Sequence, residues 1–220
     1  MADTYVLSLG GSILSPTIVD TDFVKKFQEF ILAHDSNFVI ITGGGSVARE
    51  YQHALREVGV TDHTAQDWVG IMATRLNAVY LANVLNAELI PDFNPELVQP
   101  GKLVVGAGYE PGHSSDMDAV LVAEKIGAKA VVNLSNIKQV YTTDPRMDPH
   151  AKPIKEIDWD GFIDLLPTEW KPGLSSPFDP IAARKAKEMG IEVAIINGKD
   201  IDSLSNYIDG KEYVGTIIRP

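Results

Sequence analysis

The chain has 220 residues, 45% of them hydrophobic, with a formal net charge of -11. That length suits one large domain or two small ones around a sizeable core, and the acidic balance argues against general affinity for nucleic acid, whose phosphates call for clustered Lys and Arg. The absence of cysteine excludes disulfides and thiolate chemistry, and the five His stand without zinc-ligand spacing.

No apolar run reaches the roughly 18 residues of a membrane span, and the N-terminus lacks a signal-peptide pattern. The expectation is a cytoplasmic protein that engages no membrane. Along the chain, a first strand over 5–9 halts at Gly10, Gly11 and Ser12, and a helix over 21–33 follows. A second strand over 38–42 ends in Gly43, Gly44 and Gly45, with Ser46 as the expected N-cap of a helix over 46–58 that carries Arg49. Glycine is costly inside regular structure, so glycines at strand tips are read either as tight turns or as backbone that something approaches closely. Amides in such turns, added to the positive end of a helix, form an anion site. Neither cluster fits G-x-G-x-x-G or G-x-x-x-x-G-K-[ST], which counts against dinucleotide and P-loop folds.

A long helix over 62–85 comes next, in which Asp67, Arg75 and Asn77 read chiefly as solvated polar positions. Its apolar positions Val69, Met72, Leu76 and Val79 suit either a subunit contact or the core. After strands over 88–91 and 103–107, the segment GYEPGHSSD leads into a helix over 115–126, where Ser114, Ser115 and Asp116 read as an N-cap or as a second anion site. A strand over 130–135 opens onto Ser135, Asn136, Tyr141 and Asp144. An aromatic ring beside amide and hydroxyl groups suits a purine and its ribose, and a packed Tyr141 is the plainer reading. The stretch 137–174 contains five prolines and is expected to be loop-rich, serving a site or an interface, with a helix over 159–165 inside it. A helix over 179–189 and strands over 192–197 and 215–218 complete the chain. Strands rich in Val and Ile, without alternation and separated by helices, predict a mostly parallel sheet covered on both faces, with ligands beyond the carboxyl ends of its strands.

Taken in order, SLGGSIL, TGGGSVAREY, DWVGIMATRLNA with PGHSSD, SNIKQVYTTDP and DPIAARKAKEMGIEVAIINGKD resemble the amino-acid kinase superfamily, and within it the archaeal-type uridylate kinases. The resemblance implies a single three-layer α/β/α sandwich domain over the whole chain, with an acceptor-binding part over about 1–125 and an ATP-binding part over about 126–220. It also implies a homo-oligomer, commonly a hexamer, that transfers the γ-phosphoryl of ATP to UMP with Mg2+. Carried over by residue, it places Gly11, Ser12, Gly45 and Arg49 near the ATP phosphates and Gly44 beside the acceptor nucleotide. Asp67 is matched to the ribose contact, while Glu110, Pro111, Gly112, His113, Ser114, Ser115 and Asp116 wrap the UMP phosphate and base. Ser135, Asn136, Tyr141 and Asp144 line the adenosine site, and Asp179 orients groups around the moving phosphoryl. No residue is matched to a metal-ligand role.

Three places in the chain depart from the superfamily pattern. Ser8 stands where many members have lysine, Lys138 and Gln139 replace an aspartate-glycine pair, and HSSD replaces a threonine pair. The alternatives are a related kinase with a small carboxylate or phosphate acceptor, and an ATP-binding, molybdate-storage-like protein without transfer activity.

Overall fold

The computed structural model describes residues 2–99, 101–166 and 176–220. Residues 167–174 of the expected loop-rich stretch lie outside the described residues. The elements run β1 (Thr4–Leu9), α1 (Gly11–Leu14), α2 (Thr21–Ala33), β2 (Asn37–Thr42), α3 (Gly45–Glu57), α4 (His63–Leu85), β3 (Glu88–Leu89), β4 (Leu103–Gly106) and α5 (Ser115–Ile126). They continue with β5 (Ala130–Ser135), β6 (Val140–Tyr141), β7 (Pro153–Ile154), β8 (Glu156–Asp158), α6 (Trp159–Leu165), α7 (Pro180–Met189), β9 (Val193–Asn197), α8 (Ile201–Ile208) and β10 (Gly215–Arg219).

Eight strands form one sheet in the order β3-β4-β2-β1-β5-β9-β10-β8, parallel from β3 through β9. Only β10 runs antiparallel to its neighbour β9, and β8 pairs parallel to β10. The missing hydrophobic alternation has a direct cause, since both faces of the central strands are buried. Leu7, Ile40, Val132 and Ile196 face one helical layer with Phe27, Leu81 and Leu204, whereas Val6, Val39, Val131 and Ile195 face the other with Val120, Phe162 and Ala183. Fully burying each such side chain contributes roughly 1.5–3 kcal/mol. The α/β/α sandwich with a mostly parallel sheet is therefore present. Among the described residues no helix is long and apolar enough to cross a membrane.

Several expectations are corrected. The helix α1 opens at the glycine pair, where propensity disfavours it, because the turn is fixed by contacts from elsewhere in the fold. The strand expected over 88–91 is reduced to Glu88–Leu89, since Pro91 lacks the amide a ladder needs and begins a 3-10 turn. Ser46 is not the N-cap of α3; Gly44 occupies that place without a side-chain bond, and Ser46 Oγ donates to Ser15 O at 3.2 Å. The helix α8, unanticipated, is capped by Asp200 accepting from Ser203 N and buries Leu204 and Ile208 one turn apart. A two-stranded hairpin, β6 with β7, stands apart from the main sheet.

Candidate active site

Because β1 and β2 are parallel neighbours with Leu9 opposite Thr42, their glycine turns leave the sheet side by side. Gly43 N donates to Leu9 O and Gly10 N to Leu134 O, each at 2.9 Å, tying the turns to β1 and β5. A Cβ on Gly11 would overlap Gly45 N and sit 2.6 Å from Gly45 Cα, and one on Gly43 would lie 2.5 Å from Gly11 N. Gly45 has φ +66, with Gly11 O 2.5 Å from a would-be Cβ. Each turn therefore needs its glycines to accommodate the backbone of the other, so the space left by the absent side chains is already filled. What the turns offer a ligand is their amides: among the described residues, nothing accepts from the N–H groups of Gly11, Ser12, Gly44 or Gly45. Arg49, exposed on α3 one turn beyond Gly45, makes no ion pair with a described residue.

The polar positions of α4 are not solvated as expected, because they hold the site together. Buried Asn77 donates from Nδ2 to Gly43 O at 2.7 Å. Thr42 Oγ1 donates to Thr74 O at 2.9 Å, and Thr74 Oγ1 accepts from Gly108 N at 2.9 Å. Arg75 donates from Nε to Gly108 O at 3.3 Å and from Nη2 to Tyr109 O at 2.8 Å. Asp67 accepts from Gly112 N at 3.0 Å. Thr74 and Arg75 lie two helical turns beyond Asp67 and share one side of α4 with it, a polar stripe legible in the sequence once period 3.6 is applied to polar as well as apolar residues. Another side leaves Trp68, Met72, Leu76 and Val79 exposed.

Residues 107–114 form a loop between β4 and α5. Ser114 caps α5, accepting from Met117 N at 3.2 Å, so the plainer reading of that residue holds. His113 Nδ1 lies 3.2 Å from Asp118 Oδ1 and its Nε2 3.7 Å from Glu110 Oε1. The Asp118 hydrogen bond pushes the His113 pKa up from its ordinary value, against the opposing effect of burial. Asp118, which the sequence did not single out, is fully buried and also accepts from Tyr109 N at 3.1 Å.

Half-buried Asp116 forms a second cluster with buried Ser8 and Asn133. Its Oδ1 accepts from Ser8 Oγ at 2.8 Å and Asn133 Nδ2 at 2.7 Å, and its Oδ2 from Asp179 N at 3.2 Å. Burial, with Asp179 adding like charge, pushes the Asp116 carboxyl up to about 6. The Asp179 side chain caps α7, accepting from Ile181 N at 2.7 Å. Ser8, at the place of the missing lysine, thus acts as a hydrogen-bond donor to a carboxylate. Asn133 was missed because it lies inside an apolar strand, and its Oδ1 has no partner among the described residues.

Beyond β5 the residues are less tightly held. Ser135 Oγ is buried without a partner, Asn136 is exposed, and Tyr141 lies in the hairpin strand β6. Asp144 is bound by Arg146 two residues away, Nε to Oδ1 at 3.0 Å and Nη2 to Oδ2 at 2.7 Å, which holds its carboxyl at about 2. A cavity of about 300 Å³ lies on this flank, bordered by Gln139, Lys155, Asn206 and Tyr213 rather than by the four residues matched to adenosine.

The chain matches the amino acid kinase family over residues 3–197. It belongs to that family. A uridylate kinase of Thermococcus onnurineus is 34% identical over 224 residues, covering 98% of this chain and 99% of the relative. The crystal structure of the uridylate kinase of Archaeoglobus fulgidus superposes with a TM-score of 0.82 at 32% identity, covering 97% of this chain and 99% of that one. A UMP kinase structure from Bacillus anthracis shares the fold, with a TM-score of 0.81 at 20% identity over 99% of this chain and 96% of that one. In this member of the amino acid kinase family, the glycine turns, the clamped loop and the Asp116 cluster converge at the carboxyl edge of β1, β2, β4 and β5. The unpaired amides are free to donate to an anion there, and the 107–114 loop lies beside them.

Proposed function

We propose that the protein is a nucleoside monophosphate kinase that transfers the γ-phosphoryl group of ATP to UMP, giving UDP for pyrimidine nucleotide biosynthesis. The observation that carries this reading is the pair of glycine turns, held against each other with unpaired amides, next to a loop anchored on α4 at Asp67 and Arg75. The archaeal relatives named uridylate kinase, matched end to end, support the choice of acceptor. In this reading the part over about 1–125 binds the acceptor and also reaches the donor phosphates through its glycine turns, and the part over about 126–220 binds the rest of ATP.

Phosphoryl transfer asks for in-line positioning and neutralisation of charge more than covalent work. An oxygen of the UMP phosphate attacks the γ-phosphorus while the bond to the β–γ bridging oxygen breaks. The acceptor oxygen is already anionic, so no strong general base is required. Gly11, Ser12 and Gly45 amides with Arg49 hold the donor phosphates, Gly44 lies at the acceptor, and Asp67 with residues 110–116 encloses UMP. Asp179, its side chain fixed as the cap of α7, orients groups around the transferred phosphoryl. Ser135, Asn136, Tyr141 and Asp144 border the adenosine.

Magnesium, bound together with ATP, would supply charge neutralisation on the phosphates. The exposed Met72, Leu76 and Val79 stripe on α4 supports self-association, with a cytoplasmic homohexamer as the expected assembly.

A coupled assay with UMP, CMP, acetylglutamate and isopentenyl phosphate tests the acceptor. UMP is expected to be preferred; turnover of another acceptor in its place, or tightly bound oxometalate without any turnover, contradicts the reading.

A further inference from the structure

We infer that Arg75 is a positioning residue that sets the shape of the 108–113 loop and thereby the affinity for the acceptor nucleotide; this rests on the reading of that loop as the acceptor wall. Gly108 and Tyr109 place all four of their backbone polar groups on side chains: Gly108 N on Thr74, Tyr109 N on Asp118, and both carbonyls on Arg75. Two peptides bonded in this way have no free polar group about which to rotate.

The residue type matters. A guanidinium presents donors in one fixed plane, so it can hold two successive carbonyls at once, whereas an ammonium is a point charge on a flexible stem. That plane is held in turn by two rings, with the guanidinium carbon 5.0 Å from the Phe93 centroid and 5.9 Å from the Trp68 centroid. Phe93 has φ +55, a left-handed backbone that a bulky side chain adopts only at a cost. The neighbouring Asp92 has φ +51, so two residues share the strain that brings the ring beneath Arg75. Among the described residues no carboxylate pairs with Arg75, so its charge is directed to the loop carbonyls and remains beside the space an anionic nucleotide would enter.

Steady-state kinetics of Arg75→Gln test the assignment. The KM for UMP is expected to rise roughly tenfold or more, as the loss of two charge-assisted bonds implies. The KM for ATP and kcat should stay within about threefold, since the glycine turns are held separately through Asn77. Arg75→Lys should recover only part of the loss. If Arg75→Gln does not fold, Phe93→Leu, which removes a stacking ring and leaves the hydrogen bonds, should raise the UMP KM by a smaller factor. Hydrogen exchange gives a readout independent of activity: amides of 108–113 should exchange faster in Arg75→Gln, while those of 43–45 keep their rates. An unchanged UMP KM in a folded variant, an equal rise in the ATP KM, or equal exchange in both segments overturns the role of Arg75. A wild-type protein that does not phosphorylate UMP would instead overturn the functional reading, with the exchange experiment still reporting on the clamp.

Discussion

On the β2–β4 flank of the glycine turns, the loop that begins at Gly108 is tied to two helices through Thr74, Arg75, Asp67 and Asp118. On the β5 flank, Asn136 is exposed, Asp144 is bound by a residue two positions away, and Tyr141 sits in a hairpin with two residues per strand. The side chains of the first flank are held by long-range contacts, whereas on the second the Asp144 carboxylate is bound within its own loop and the hairpin is tied to the sheet through Thr216 Oγ1. A wall made by tertiary bonds is preorganised for one ligand shape, which suits recognition of a particular acceptor. A flank whose carboxylate is bound within its own loop holds its ligand with less shape selectivity, which suits a donor gripped mainly through its phosphates.

The largest effect is expected between these flanks, at the contact of the two turns. Gly11→Ala forces a Cβ into the backbone of Gly45, and thermal unfolding should record a loss on the order of 4 kcal/mol. Gly112→Ala, with φ +89 and open space around it, should lose only about 1 kcal/mol. Equal losses would remove the packing explanation. Arg49→Ala comes next, with activity falling roughly a hundredfold, about 3 kcal/mol of transition-state stabilisation, and little change in melting temperature because the side chain is exposed. Wild-type turnover in that variant would exclude Arg49 from the mechanism.

Asp116 sharpens the comparison through pH. Its folded value of about 6 stands above the ordinary 3.8, so between these values the folded chain holds more proton than the unfolded one. Its contribution to stability is therefore greatest at low pH, declines as pH rises through that window, and above about 6 leaves a cost on the order of 3 kcal/mol. Melting curves of Asp116→Asn against wild type should diverge progressively from pH 4 to pH 6; parallel curves would contradict the raised carboxyl pKa. The smallest effect belongs to the other flank, where Asp144→Ala should leave the melting temperature within about 1 °C, since the Arg146 pair is exposed.

The sheet was legible in the chain because runs such as FVIIT and AVVNLS are buried on both faces and follow a simple rule. The glycine turns were legible as punctuation, but their cause was not, since the contact of Gly11 with Gly45 joins residues that only the parallel register brings together. The roles of Asn77, Arg75 and Asp118 were hidden for a related reason. A polar residue on a helix looks the same in sequence whether it faces water or a carbonyl thirty residues away. The reversed strand β10 was equally hidden, because the short run GTIIR carries no sign of direction.

Phosphorus NMR of the wild-type protein with ATP, UMP and magnesium tests the central claim most directly. The account predicts that the γ-phosphorus signal of ATP and the monophosphate signal of UMP fall together toward equilibrium as the diphosphate doublets of ADP and UDP grow in step, and that these changes stop when UMP is omitted. An ATP spectrum that stays constant, or γ-phosphate lost only to inorganic phosphate at a rate indifferent to UMP, would contradict it.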